Sequence, residues 1–103
     1  MVADLSLARR APKRDANEGG IVEALRSAGY VVYQLSDEGV PDLLVTRPGR
    51  AFLLLEVKAI GKTLTTAQER FFEQTQGCPR FMVTSAEDAL AAARYWLGGS
   101  FDA

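Results

Sequence analysis

Apolar residues along the chain change their period several times, and each change predicts an element. After Asp15 they recur as Ile21, Val22 and Leu25, a helical stripe that runs to about Ala28 and closes at Gly29. Asp15 is the predicted N-cap. Gly19 and Gly20 weaken the first turn by about 1 kcal/mol each relative to alanine. Their presence implies either a group that approaches the backbone closely or simply a loose first turn. On the helical wheel Glu18 falls in line with Val22 and Leu25, so it points inward, while Glu23 points to water. An inward carboxylate needs a partner, unless it serves the helix dipole or reaches round to solvent.

Residues 30–35 read as a first strand and residues 36–39 as a polar connection. Residues 40–46 and 51–58 are apolar, partly β-branched runs around Arg47-Pro48-Gly49-Arg50, which predicts a β-hairpin. The run from Phe52 to Leu55 suits a central strand buried on both faces. A loop through Lys62 leads to a second helix, opened by a capping box of Thr65 and Gln68 and ended by Gly77. Phe71, Phe72 and Ala67 are expected to face the core. Residues 80–84 make a last strand. Ser85 with Asp88 opens a third helix whose inward residues are Ala89, Leu90, Ala93 and Leu97, with Gly98-Gly99 as its stop. The order αβββαβα predicts a three-layer α/β fold, a mixed sheet flanked by helices.

With 103 residues and 48% hydrophobic content, the chain is the size of one globular domain. Residues 15–99 are expected to form it, after a basic arm over 1–14 and before a short tail over 100–103. Arg9, Arg10, Lys13 and Arg14 in that arm are either solvated or in contact with phosphates. No apolar run is long enough for a bilayer and no signal-peptide core is evident, so a cytoplasmic protein is expected. Cys78 is the single cysteine, which excludes an internal disulfide, and is expected to be partly buried. The absence of histidine excludes histidine bases, Ser-His-Asp triads and histidine-ligated zinc within the chain. A pI near 5.4 argues against nucleic-acid binding, but local charge outweighs the total, and bound cations would offset an acidic cluster.

The chemistry concentrates in the hairpin. Asp42 heads one apolar run, and Glu56 and Lys58 end the other. Alternation puts Glu56 and Lys58 on one face with Val57 on the opposite one. Neighbouring strands lie about 4.8 Å apart, so Asp42 and Glu56 can converge. Two carboxylates that close repel unless a proton or a cation lies between them. An ammonium beside them suits a site that binds a divalent metal and steadies a negative oxygen. The plainer alternative is two surface strands sharing an ordinary ion pair.

Pro41-Asp42 followed by Glu56-Val57-Lys58 resembles the PD-(D/E)xK nuclease signature. Together with Asp15-Ala16-Asn17-Glu18, Val40 to Val45, Lys62-Thr63-Leu64-Thr65 with Gln68, and Ser85 to Ala89, the chain resembles the small stand-alone VRR-NUC proteins of phages and prophages. That resemblance implies a restriction-endonuclease-like core and a Mg²⁺- or Mn²⁺-dependent, structure-selective DNA endonuclease acting on Holliday-junction or flapped DNA, often as a homodimer. It implies that Asp42, Glu56 and the Val57 carbonyl hold metal and that Glu18 completes the site directly or through a water. It makes Lys58 the residue that orients water or stabilises developing charge, with Gln68 beside it. Arg9, Arg10, Lys13, Arg14 and Lys62 are the expected DNA contacts. Tyr95, Trp96, Leu97, Phe101, Phe71 and Phe72 are the candidates for a dimer interface. A DNA-binding or assembly subunit with a vestigial site is the alternative from another class. A restriction-type enzyme is a third, against which the lack of a target-recognition extension argues.

Overall fold

In the computed structural model, which describes residues 14–98, the chain runs α1 (Glu18–Ser27), β1 (Val31–Gln34), β2 (Leu43–Thr46), β3 (Leu53–Val57), α2 (Thr66–Gln74), β4 (Arg80–Val83) and α3 (Ala86–Leu97). The four strands form one sheet in the order β1-β2-β3-β4. β1, β2 and β3 pair antiparallel, and β3 pairs parallel with β4 across the α2 crossover. The mixed α/β architecture is the expected one.

Alternation along the strands divides the side chains between two unlike faces. Val32, Leu43, Val45, Leu53, Leu55, Val57 and Val83 share one face and are all buried. Ile21, Val22 and Leu25 of α1, with Ala89, Ala93 and Leu97 of α3, complete this core. Each fully buried leucine or valine there contributes roughly 1.5–3 kcal/mol. The other face carries Tyr33, Leu44, Leu54, Glu56 and Met82. Helix α2 lies on that side and has no buried residue.

The local signals for helix ends hold where a side chain reaches its own helix. Thr65 and Gln68 form the full capping box of α2, and Ser85 accepts from the Asp88 N–H at the start of α3. Gly29 leaves α1 with φ +97°, a left-handed value that glycine adopts without strain. The start of α1 differs from expectation. Asn17, not Asp15, occupies the N-cap, and it makes no side-chain cap bond: its Nδ2 points to carbonyls of other elements, and its Oδ1 has no hydrogen-bond partner among the described residues. Asp15 contributes only its backbone carbonyl, to the Glu18 N–H at 3.0 Å. A Cβ on Gly19 or Gly20 would meet nothing within 4 Å, so the loose first turn is the correct reading of that pair.

Four further expectations are corrected. Helix α2 ends at Gln74, before Gly77, and Phe71 and Phe72 are only half-buried, with the Arg80 guanidinium over the Phe72 ring at 4.8 Å. Phe52 precedes β3 and is 60% exposed, so the central strand is fully covered on one face alone. Cys78 is exposed in the turn before β4.

Candidate active site

The pairing Leu43↔Leu55 carried one residue further sets Asp42 opposite Glu56. The Leu35 N–H donates to the Asp42 carbonyl at 2.7 Å, so β1 steadies the entry to β2. Asp42 then turns its side chain across to β3, where Oδ2 accepts from the Val57 N–H at 2.8 Å. Glu56 lies on the α2 face yet is only 1% exposed. Its Oε2 accepts from Gln68 Nε2 at 3.0 Å, and its Oε1 is buried without a partner among the described residues. Gln68 spends its own Oε1 on the Thr65 N–H at 2.8 Å. One glutamine therefore closes the cap of α2 and fixes the Glu56 carboxyl.

Burial pushes the Glu56 carboxyl up to about 8, with the hydrogen bond and the charge of Asp42 adding to the rise. Lys58 opposes it, and Asp15 adds a smaller push. Glu56 is thus pushed toward its neutral, protonated form. An open cleft of about 510 Å³ reaches Asp42 and Gln68 between residues 35–40 and the first turn of α2.

Asp42, Glu56, Val57, Lys58 and Gln68 come together at this end of the sheet. Glu18 points inward as the helical wheel predicts and is 2% exposed. Its hydrogen bonds go elsewhere: Oε2 accepts from Arg14 Nη1 at 2.6 Å and from Gln34 Nε2 at 2.9 Å. Arg14 also donates to the Leu35 carbonyl at 2.7 Å, so its guanidinium serves the fold. Lys62 is exposed on the loop after β3. Arg9, Arg10 and Lys13 lie outside the described residues. Leu97 is 1% exposed and belongs to the core rather than to a surface, whereas Tyr95 and Trp96 are exposed on α3. Phe101 lies outside the described residues.

The sequence assigns no role to two residues at this end, although Asn17 stands within the Asp15-Ala16-Asn17-Glu18 motif. Gln34 and Asn17 are polar side chains whose partners are 16 to 67 positions away.

A family model for the VRR-NUC domain matches residues 9–87. The chain belongs to the VRR-NUC family. A solved structure titled "VRR_NUC domain" is 26% identical, with a TM-score of 0.63 over 80% of this chain and 99% of that one. No curated protein matches. VRR-NUC is a nuclease-related family whose substrate is DNA, and its nucleases are generally dependent on a divalent metal. The donor set of this member fits such an ion. Asp42 and Glu56 offer two hard oxygen ligands, and Glu56 Oε1 is buried with no hydrogen-bond donor among the described residues, which leaves it open to a cation. Among the described residues no third acidic side chain joins them, which suits a cation that keeps several waters. No described helix is long and apolar enough to cross a membrane.

Proposed function

We propose that this VRR-NUC chain is a Mg²⁺- or Mn²⁺-dependent endonuclease that hydrolyses phosphodiester bonds in branched or flapped DNA. The observation that carries the reading is the Asp42–Glu56 pair, whose Glu56 Oε1 is buried and unsatisfied beside Lys58. Asp42, Glu56 and the Val57 carbonyl would hold the ion, which when bound supplies charge neutralisation at the phosphate and a more acidic water.

The chain's own groups do the rest. Gln68 keeps Glu56 in one rotamer through Oε2 and leaves Oε1 for the ion. The Val57 N–H holds Asp42 in the same way. Lys58, on the same face as Glu56, offers a cation to the phosphate oxygen where negative charge grows as water adds and a P–O ester bond breaks. Glu18 braces the end of the sheet through Arg14 and Gln34. Lys62, with Arg9, Arg10 and Lys13, supplies phosphate contacts that offset the acidic total.

A homodimer would provide two sites for the two strands of a junction. Tyr95 and Trp96 are its candidate contacts; they are 79% and 42% exposed, and the Trp96 ring lies tilted against Phe81 at a centroid distance of 6.2 Å. A panel of four-way, flapped, nicked and linear DNAs with Mg²⁺, Mn²⁺ or chelator tests the function. Metal-dependent cutting of branched over linear DNA is expected, and no cutting of any substrate with either ion would refute the reading. Sedimentation equilibrium tests the dimer against the 11.2 kDa monomer.

A further inference from the structure

Residues 14–17 form a strap across the end of the sheet that carries the carboxylates. Arg14 anchors it to the Leu35 carbonyl, just beyond β1. Three residues later the Asn17 amide Nδ2 donates to two carbonyls at once, Lys58 at 3.1 Å and Thr84 at 2.8 Å. Both carbonyls stand one residue past the ends of β3 and β4. The parallel ladder has one more bond there, from the Lys58 N–H to the Val83 carbonyl at 3.0 Å. Asn17 therefore replaces the missing next rung and ties the two strand ends together.

The consequence falls on Lys58. Its N–H is held by β4 and its carbonyl by Asn17, so the backbone from which the ammonium projects is fixed on both sides. Beyond it the chain leaves the sheet at once, through Ile60, which is 84% exposed, and Gly61 at φ +90°. An asparagine at an N-cap ordinarily spends its side chain on its own helix. This one turns away from its helix: Nδ2 donates to two carbonyls 41 and 67 positions away, and Oδ1 is buried without a hydrogen-bond partner among the described residues. Aspartate would cap the helix better in charge but has no N–H to donate.

We propose that Asn17 is a positioning residue for Lys58, holding the end of β3 so that the ammonium reaches the reacting phosphate. The inference rests on the nuclease reading above, and it adds a residue that acts only through Lys58.

The test compares Asn17→Asp, Asn17→Ala and Asn17→Gln in the full chain. Asn17→Asp, isosteric but with no N–H to donate, is expected to lower the melting temperature yet stay folded at the assay temperature, while kcat falls by about 10²-fold, the cost of a small misplacement at a reacting centre. KM and Mn²⁺ binding by calorimetry should not change, and Asn17→Gln, which keeps the donor, should recover most of the lost kcat. Amide exchange at Lys58 and Ala59 should quicken in Asn17→Asp and Asn17→Ala. Wild-type kcat in Asn17→Asp, or unchanged exchange at those two amides, would overturn the proposal. If the wild-type chain cuts no DNA, the nuclease reading fails, and the exchange rates still decide whether Asn17 anchors the strand.

Discussion

The two faces of the sheet solve opposite problems. Beneath α1 and α3, Val32, Leu43, Val45, Leu53, Leu55, Val57 and Val83 are apolar and buried, with Phe81 half-buried beside them and Gln34 the polar exception at the edge. On the α2 side the strands present Tyr33 at 63% exposure and Met82 at 44%, and the one large buried group there is a carboxylate. The first face supplies stability. The second stays open enough for a polymer to approach, and it tolerates a pair of carboxylates that a closed core would reject. Helix α2 packs lightly on this face, where its Gln68 reaches the Glu56 carboxyl and its first turn lines the cleft at Asp42.

The largest expected effects belong to the open face and to activity. Lys58→Ala should lower cleavage by about 10³-fold or more, in the range for loss of a charge-stabilising donor. Mn²⁺ binding should survive, because a lysine is not a ligand for a hard cation. Asp42→Ala should lose both cleavage and metal binding. Calorimetry showing wild-type Mn²⁺ affinity in Asp42→Ala would remove Asp42 from the ligand set.

Stability should show the reverse asymmetry. Leu55→Ala, on the packed face, is expected to cost about 2–5 kcal/mol in urea unfolding. Leu44→Ala, half-buried on the open face, should cost about half as much or less, since less of its side chain leaves contact with protein. Equal losses would mean that the second face is closed in solution.

The acid pair links the two faces through pH. The folded pKa of Glu56, about 8, lies above its ordinary value of 4.5. Between those values the folded chain keeps a proton that the unfolded chain has released. Its contribution to stability is therefore full below about pH 4.5 and lost as pH rises through about 8. Metal-free protein should melt at progressively lower temperature across that window, and Glu56→Gln should flatten the slope. Mg²⁺ should restore stability at the alkaline end, where a cation can take the place of the proton. A slope unchanged by Glu56→Gln would assign the effect to another group.

The smallest effects separate two carboxylates of one helix. Glu18→Gln removes the charge that Arg14 pairs with and should reduce both stability and cleavage, by about 1–3 kcal/mol and about tenfold, respectively. Glu23→Gln, on the exposed side of α1, should stay within about 0.5 kcal/mol. Equal losses at the two positions would show that burial of Glu18 has no consequence.

Much of this was legible in the chain. The period of Ile21, Val22 and Leu25 places Glu18 inward, and the period of two puts Glu56 and Lys58 on one face, because both follow from the geometry of a single element. The Thr65–Gln68 box and the Ser85 cap are readable for the same reason, as their partners lie three residues away. Tertiary structure alone decided the rest. Gln34 and Arg14 close on Glu18, Gln68 reaches Glu56, and Asn17 abandons its own helix for Lys58 and Thr84. A side-chain amide or guanidinium takes any carbonyl or carboxylate that the fold brings within about 3 Å. Which one arrives there depends on how the described strands and helices pack, and a local pattern of polar and apolar residues holds no record of that distance.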